Sequence, residues 1–289
     1  MRQWEPVGLM PGRTTIIDDE AWSTWAAQRC AAAEPLVGAQ RGESRPDDNS
    51  GLATSVVAGT RVVANRRVGQ PWATSAYLLD GYPGPEVMAA VTEWLARHAA
   101  GPYSVVTRLR HGDDPGWARH GLVPWEDQPV FATAPSHAAR LEHPTPAGVA
   151  LATPDGVAEF WQGYGCWMPD LDASAIVPLP LFERRDCAFL VARVDQVPVG
   201  SAIVRWVDAT GYLGGIGVRQ DRRGVGIGTA LTAAASRLAA SGPAGDGRDA
   251  DGQTIDLVWM HASRDGVPVY ARMGFTAVDD HVILASSAS

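Results

Sequence analysis

One stretch constrains this chain more than any other: residues 214–231, GGIGVRQDRRGVGIGTAL. A β-rich run, Tyr212 to Val218, meets a short basic turn, Arg219 to Arg223. The glycine loop Gly224-Val225-Gly226-Ile227-Gly228 follows and opens directly onto a helical stretch beginning near Thr229. Glycines at alternate positions let a backbone turn tightly and bring its N–H groups close to a ligand. Those amides merge with the free N–H groups and the positive dipole end of the helix, so a phosphate or pyrophosphate is the natural guest. Spacing excludes two rival phosphate loops. The GxGxxG dinucleotide fingerprint also needs an acidic residue about twenty positions on, whereas GVGIG is GxGxG and leads to a polar Gly/Asp loop. A P-loop needs a Lys-Ser/Thr pair, and there is none. A plain strand-to-helix turn is the competing reading of the loop taken alone.

The stretch 223–228 fits R-x-x-G-x-G, and downstream lies residues 262–275, ASRDGVPVYARMGF. Together these resemble the GNAT superfamily of acyl-CoA-dependent N-acyltransferases. The first match corresponds to the family's pyrophosphate loop. The second corresponds to its next helix, with a catalytic-type tyrosine and a Gly-Phe ending. The resemblance implies that the amides of Gly224, Val225, Gly226, Ile227, Gly228 and Thr229 hold the donor's pyrophosphate and that Arg223 pairs with a phosphate. It implies that backbone groups at Ile216, Gly217 and Val218 meet the pantetheine and thioester oxygen, and that Ser263 stands where many relatives place an asparagine on the pantetheine arm. Tyr270 falls where the family places its general acid. A phenol with pKa about 10 is protonated at neutral pH and can donate to a thiolate whose conjugate acid lies near 8.5. A tyrosine simply packed between helix and sheet is the alternative, as helix capping is for Ser263.

Trp161, Tyr164, Trp167 and Met168 lie in the helix and loop that form the acceptor wall in the resembling fold, with aromatic core as the other reading. The general base is not legible: His261, Asp256, Glu159, Asp170 and Asp172 all offer themselves, and His261 is kept as a candidate acceptor contact.

At 289 residues the chain exceeds a typical domain of roughly 100–200, so two domains are expected. With 46% hydrophobic and 19% charged residues it can bury a substantial core. Every basic residue is arginine, which removes a lysine nucleophile, and the net charge of −8 argues against a nucleic-acid surface. No apolar run approaches the roughly eighteen residues of a membrane span. The start, MRQWEPVGLMPG, lacks a basic region followed by an apolar core, so neither membrane nor secretion is expected. Cys30, Cys166 and Cys187 lack metal spacing, which fits a reducing cytoplasm and no metal.

Along the chain, periodicity predicts a helix over 14–33, a polar loop over 34–50, strands at 52–58, 61–64 and 73–79, and an amphipathic helix over 86–99. A strand at 103–109, a short helix at 114–120 and two short strands at 122–123 and 129–133 follow. The carboxy-terminal half repeats that order, with a helix capped by Asp265 near 265–273 and final strands at 275–278 and 281–285. The resulting expectation is an α/β fold with a mixed α+β sheet: two tandem GNAT-like domains, each a mixed, mostly antiparallel sheet flanked by helices. Residues 1–136 form a degenerate domain without an acyl-CoA loop, 137–146 a linker, and 147–289 the catalytic domain. In the first half the counterpart loop, DGYPGPE, has two prolines without N–H donors and no arginine, and Trp117 replaces the tyrosine.

The resemblance thus implies a cytoplasmic N-acetyltransferase with acetyl-CoA as cosubstrate and a small-molecule amine acceptor, with no nucleic acid or membrane partner and a homodimer as the candidate assembly. Two alternatives stay open. One keeps the fold with a longer acyl-CoA, an acyl carrier protein or aminoacyl-tRNA as donor; the other is a CoA-binding regulatory protein without catalysis.

Overall fold

The computed structural model describes residues 19–42 and 51–287. In chain order the amino-terminal half comprises α1 (Asp19–Gly42), β1 (Leu52–Val57), β2 (Thr60–Asn65), β3 (Ser75–Tyr77), α2 (Pro85–His98), β4 (Ser104–Arg108), α3 (Pro115–Ala118) and β5 (Leu122–Thr133). A short α4 (Pro135–Ala138) leads to β6 (Val149–Ala152), α5 (Val157–Gly165), α6 (Ala173–Ile176), β7 (Cys187–Val194), β8 (Val197–Val207) and β9 (Thr210–Val218). The chain then forms α7 (Ile227–Ser241), β10 (Leu257–His261), α8 (Val267–Arg272) and β11 (Thr276–Ser286).

The strands form one mixed 11-stranded sheet in the order β1-β2-β3-β4-β11-β5-β10-β9-β8-β7-β6. The two halves follow one another in sequence but interleave in space. The last strand, β11, inserts between β4 and β5, antiparallel to both, and β5 in turn pairs antiparallel with β10. Each half therefore supplies one long strand to the other's edge, which satisfies backbone groups that two separate sheets would leave open. The short strand pairs expected at 122–133 and 275–285 are each one continuous strand. Register shifts between Ala277 and Asp279 and between Ile283 and Leu284 absorb the irregularity that looked like a break.

The first helix also differs from expectation. It runs through Pro35 to Gly42, where a loop was expected from Glu34; the remainder of that loop, with Asp18 of the start signal, lies outside the described residues. Ala26, Cys30, Ala33 and Val37 are all buried at helical spacing against Tyr212, Leu257 and Trp259, and this packing outweighs the missing proline donor. Arg29 ties the same helix to the carboxy-terminal half through Asp208 at 2.8 Å and Asp256 at 3.1 Å.

The sheet's opposite face around β8, β9 and β10 is covered by α7, whose Leu231, Ala235 and Ala239 are fully buried. Part of the expected linker is not a free connection: Ala138 and Leu141 join this core, and Arg237 on α7 donates to the Leu141 carbonyl.

Candidate active site

The site arises from a fork between two parallel strands. β9 and β10 pair from Thr210–Leu257 to Leu213–Met260 and no further, although β9 continues to Val218. A bulge accounts for the divergence. Between the pairs Ser201–Gly217 and Ile203–Gly214, β9 carries one residue more than β8. Gly215 in that interval sits at φ +58°, a conformation costly for any residue with a Cβ. The Ser201 hydroxyl donates to the Gly215 carbonyl at 3.1 Å, and the Trp167 indole N–H donates to Ser201 Oγ at 3.0 Å, so the bulge is held from its outer side.

At the end of β9 the chain enters the glycine loop. Gly226 caps α7 in the left-handed region at φ +93° and passes its carbonyl to the Ala230 amide at 3.0 Å. Gly224, Val225 and Gly226 give their amides to no backbone carbonyl among the described residues. The N–H groups of the first helical turn are free by geometry. This cluster of donors faces a cleft of about 880 Å³ that runs into the fork.

Ile216, Gly217, Val218, Arg223, Gly224, Gly226, Gly228, Thr229, Ser263 and Tyr270 all line the cleft. Two residues of the same expected set do not. Val225 points to solvent at 59% exposure, and Ile227 anchors the helix in the core at 2%, so only their backbones are available to a ligand. The Arg223 Nε–H donates to the Val218 carbonyl at 3.0 Å, which fixes the side chain along the cleft wall.

Tyr270 comes from α8, packed between Phe131 and Phe275 with ring centroids 6.3 Å away in each case. Burial, together with the neighbouring Tyr212 hydroxyl, pushes its phenol up to about 12, so it is a neutral donor throughout the physiological range. The expected cap of this helix is corrected: Gly266 precedes the first turn, and it is Ser263 Oγ that accepts from the Gly266 amide, at 3.3 Å, rather than Asp265.

Of the aromatic acceptor-wall candidates, Trp167 lines the cleft, its ring lying so close over Gly217 that a Cβ there would collide with it. Trp161, Tyr164 and Met168 belong instead to a packed cluster around Phe160, Ile176 and Phe189, with the Trp161 N–H satisfied by the Val177 carbonyl at 2.7 Å. Three candidate bases have structural partners. Asp256 pairs with Arg29, Glu159 with Arg193 at 2.7 Å, and Asp172 caps α6 and meets Arg67 at 3.0 Å. His261 does not reach the cleft lining; it meets Tyr212 and Glu34 on the α1 face of the sheet. The sequence reading missed the linker's part in the site: Leu141, Glu142 and His143 close one side of the cleft, and a proline-bounded polar stretch gives no periodic signal by which to see it. The three cysteines are free thiols, and burial raises Cys187 to about 11, away from nucleophilic chemistry.

The forked parallel pair leads to an amide-rich helix start, a geometry that suits an anionic ligand. Residues 185–277 match the family model described as acetyltransferase (GNAT) domain. The chain has the GNAT fold, and the match to that family's acetyltransferase domain lies within its carboxy-terminal half. A GCN5-related N-acetyltransferase from Kribbella flavida is similar over 91% of this chain and 96% of its own, at 23% identity and a TM-score of 0.60. A tandem GNAT protein from the clavulanic acid biosynthesis pathway is similar over 94% of this chain and 95% of its own, at 19% identity and a TM-score of 0.52. A GCN5-related N-acetyltransferase from Sphaerobacter thermophilus is similar over 91% and 89%, at 17% identity and a TM-score of 0.51. No curated protein matches the chain at a significant level.

Proposed function

We propose that this protein is an N-acetyltransferase that moves an acetyl group from acetyl-CoA to a primary amine of a small molecule, with the cytoplasm as its working compartment. The observation that carries the reading is the fork between β9 and β10, which opens onto the unpaired amides at the head of α7 with the neutral Tyr270 phenol in the same cleft. The amides and Arg223 hold the pyrophosphate, and the edge of Ile216, Gly217 and Val218 that β10 leaves unpaired runs alongside the pantetheine arm.

The acceptor nitrogen attacks the thioester carbonyl carbon, the C–S bond breaks, and the nitrogen loses its extra proton to solvent. Tyr270 donates to the departing sulfur, a role suited to a phenol that stays protonated in its apolar niche. Among the described residues no helix is long and apolar enough to cross a membrane. Release of CoA thiol from acetyl-CoA across a panel of primary amines tests the reading. Amine-dependent release with recovery of the N-acetylated product is the expected result, and donor binding without release for any amine would leave only a CoA-binding role.

A further inference from the structure

A second cluster of chemically capable side chains lies outside the cleft, on the α1 face of the sheet. Glu34 projects from α1, His261 ends β10, and His281 lies in β11, so three elements from both halves converge on one point. Glu34 and His281 are buried, at 4% and 0% side-chain exposure, and His261 is nearly so at 15%. One donor atom from each lies within 4.8 Å of the others. Glu34 Oε1 is 3.2 Å from His261 Nε2, and Glu34 Oε2 is 2.7 Å from His281 Nδ1. These contacts are close, yet they are not aligned as hydrogen bonds. Glu34 Oε2, His261 Nε2 and both ring nitrogens of His281 are buried atoms without an aligned hydrogen-bond partner among the described residues. Buried polar atoms are normally satisfied by aligned hydrogen bonds, so a carboxylate and two imidazoles in contact without that alignment point to a ligand shared among them.

We propose that Glu34, His261 and His281 form a binding site for one divalent first-row transition ion, of which zinc is the member best suited to two imidazoles and one carboxylate. Ligand atoms bonded at 2.0–2.1 Å around such an ion, at angles from square to tetrahedral, are about 2.9–3.3 Å apart. The 2.7 and 3.2 Å separations, one to each oxygen of the Glu34 carboxylate, lie at that scale, and all three donors stand within 4.8 Å of one another, so admitting the ion requires the two imidazoles to close on one point.

Polar groups able to orient both imidazoles lie nearby. Each histidine turns its remaining nitrogen toward a polar group: His261 Nδ1 lies 3.4 Å from the Tyr212 hydroxyl, and His281 Nε2 lies 3.4 Å from Asp279 Oδ2. Asp279 is itself held by Arg108 at 2.7 Å. A metal-bound imidazole characteristically has its second nitrogen oriented in this way by a carboxylate or another polar partner. His261 is the first β10 residue beyond the last rung shared with β9, so the ion would sit at the base of the fork. It would clamp α1 to β10 and β11 and leave the more open His261 side for a water or a further ligand.

The test is metal binding itself, read independently of acyl transfer. Chelator-treated full-length protein is titrated with Co2+ and then with Zn2+. The expected result is one equivalent of Co2+ with visible d–d absorption, displaced by Zn2+, and a higher melting temperature with either ion. Glu34→Gln and His261→Asn should each remove the absorption, and Asp279→Asn should weaken binding by about tenfold to a hundredfold. His261→Asn lies at the rim and keeps the buried packing, so it decides the matter if a more buried variant fails to fold. Absence of any Co2+ spectrum or Zn2+-dependent stabilisation in the unaltered protein would overturn the proposal, as would full binding retained in both Glu34→Gln and His261→Asn.

Discussion

The heads of α2 and α7 follow the same plan and differ in every feature that a nucleotide ligand would use. Both helices are capped by a glycine at positive φ, Gly84 at +103° and Gly226 at +93°, and each capping carbonyl accepts from the amide four residues on. At α2, however, the next residue is Pro85, which has no N–H, and Glu86 places a negative charge in the first turn. At α7 the first turn has no acid, and Arg223 stands beside it.

The strands differ in the same sense. β3 and β4 stay joined past their last rung: the Leu78 amide donates to the Val106 carbonyl at 2.9 Å, and the Thr107 hydroxyl donates to the Leu78 carbonyl at 2.8 Å. β9 and β10 separate at the Gly215 bulge. Trp117, on the helix corresponding to that of Tyr270, is fully buried and spends its N–H on the His111 carbonyl at 2.7 Å. One half thus keeps its strands joined and its helix head poor in donors, and the other opens both. Backbone hydrogen bonding and donor count are enough to tell the halves apart.

The contrast can be broken or sharpened by substitution. The largest effect is expected from Gly226→Pro, which forces φ near −65° where the loop needs a positive value. Acetyl-CoA binding by calorimetry should disappear, while Pro85→Gly at the matching head should create none. Next, Tyr270→Phe should lower turnover by about 10² to 10⁴ with little change in donor affinity, the usual contribution of a positioned general acid. Trp117→Phe should leave turnover intact and cost about 1–3 kcal/mol in denaturant unfolding, through a lost hydrogen bond and a small void.

The pH profile sharpens the same comparison. Because the Tyr270 pKa is raised to about 12, its protonated form persists beyond the range of a free phenol. No loss of turnover with a midpoint near the ordinary tyrosine value of about 10 should therefore arise from it; such a loss in the unaltered protein, absent in Tyr270→Phe, would show a solvated phenol. The smallest effect belongs to Arg223→Ala. Its guanidinium is exposed, so removal should raise the KM for acetyl-CoA only about two- to fivefold, with the difference shrinking as salt rises.

The parts of this architecture that depend on local sequence were legible, and those that depend on exchange between distant segments were not. The loop at 224–228 carried its own backbone chemistry, and a helix between two neighbouring strands, as between β9 and β10, makes parallel pairing the economical topology. Nothing in residues 276–286 announces that this strand completes the amino-terminal half, because a strand's period of two is the same whichever neighbour it finds. The helix was expected to end at residue 33 since local propensity contains no term for the buried face of Ala26, Cys30, Ala33 and Val37. For the same reason Glu34 looked like the start of a solvated loop; its two histidine neighbours are far away in sequence and meet it only through the sheet. Trp161, Tyr164 and Met168 showed the reverse limit, since large apolar residues near a site read alike whether they line it or support it.

The central claim is that one half of the chain holds the donor and the other does not, and isothermal titration of the full-length protein with acetyl-CoA tests it most directly. The account predicts a single site per chain, abolished by Gly226→Pro and unaffected by Pro85→Gly. Two equivalent sites, or one site that survives Gly226→Pro in a folded protein, would contradict it.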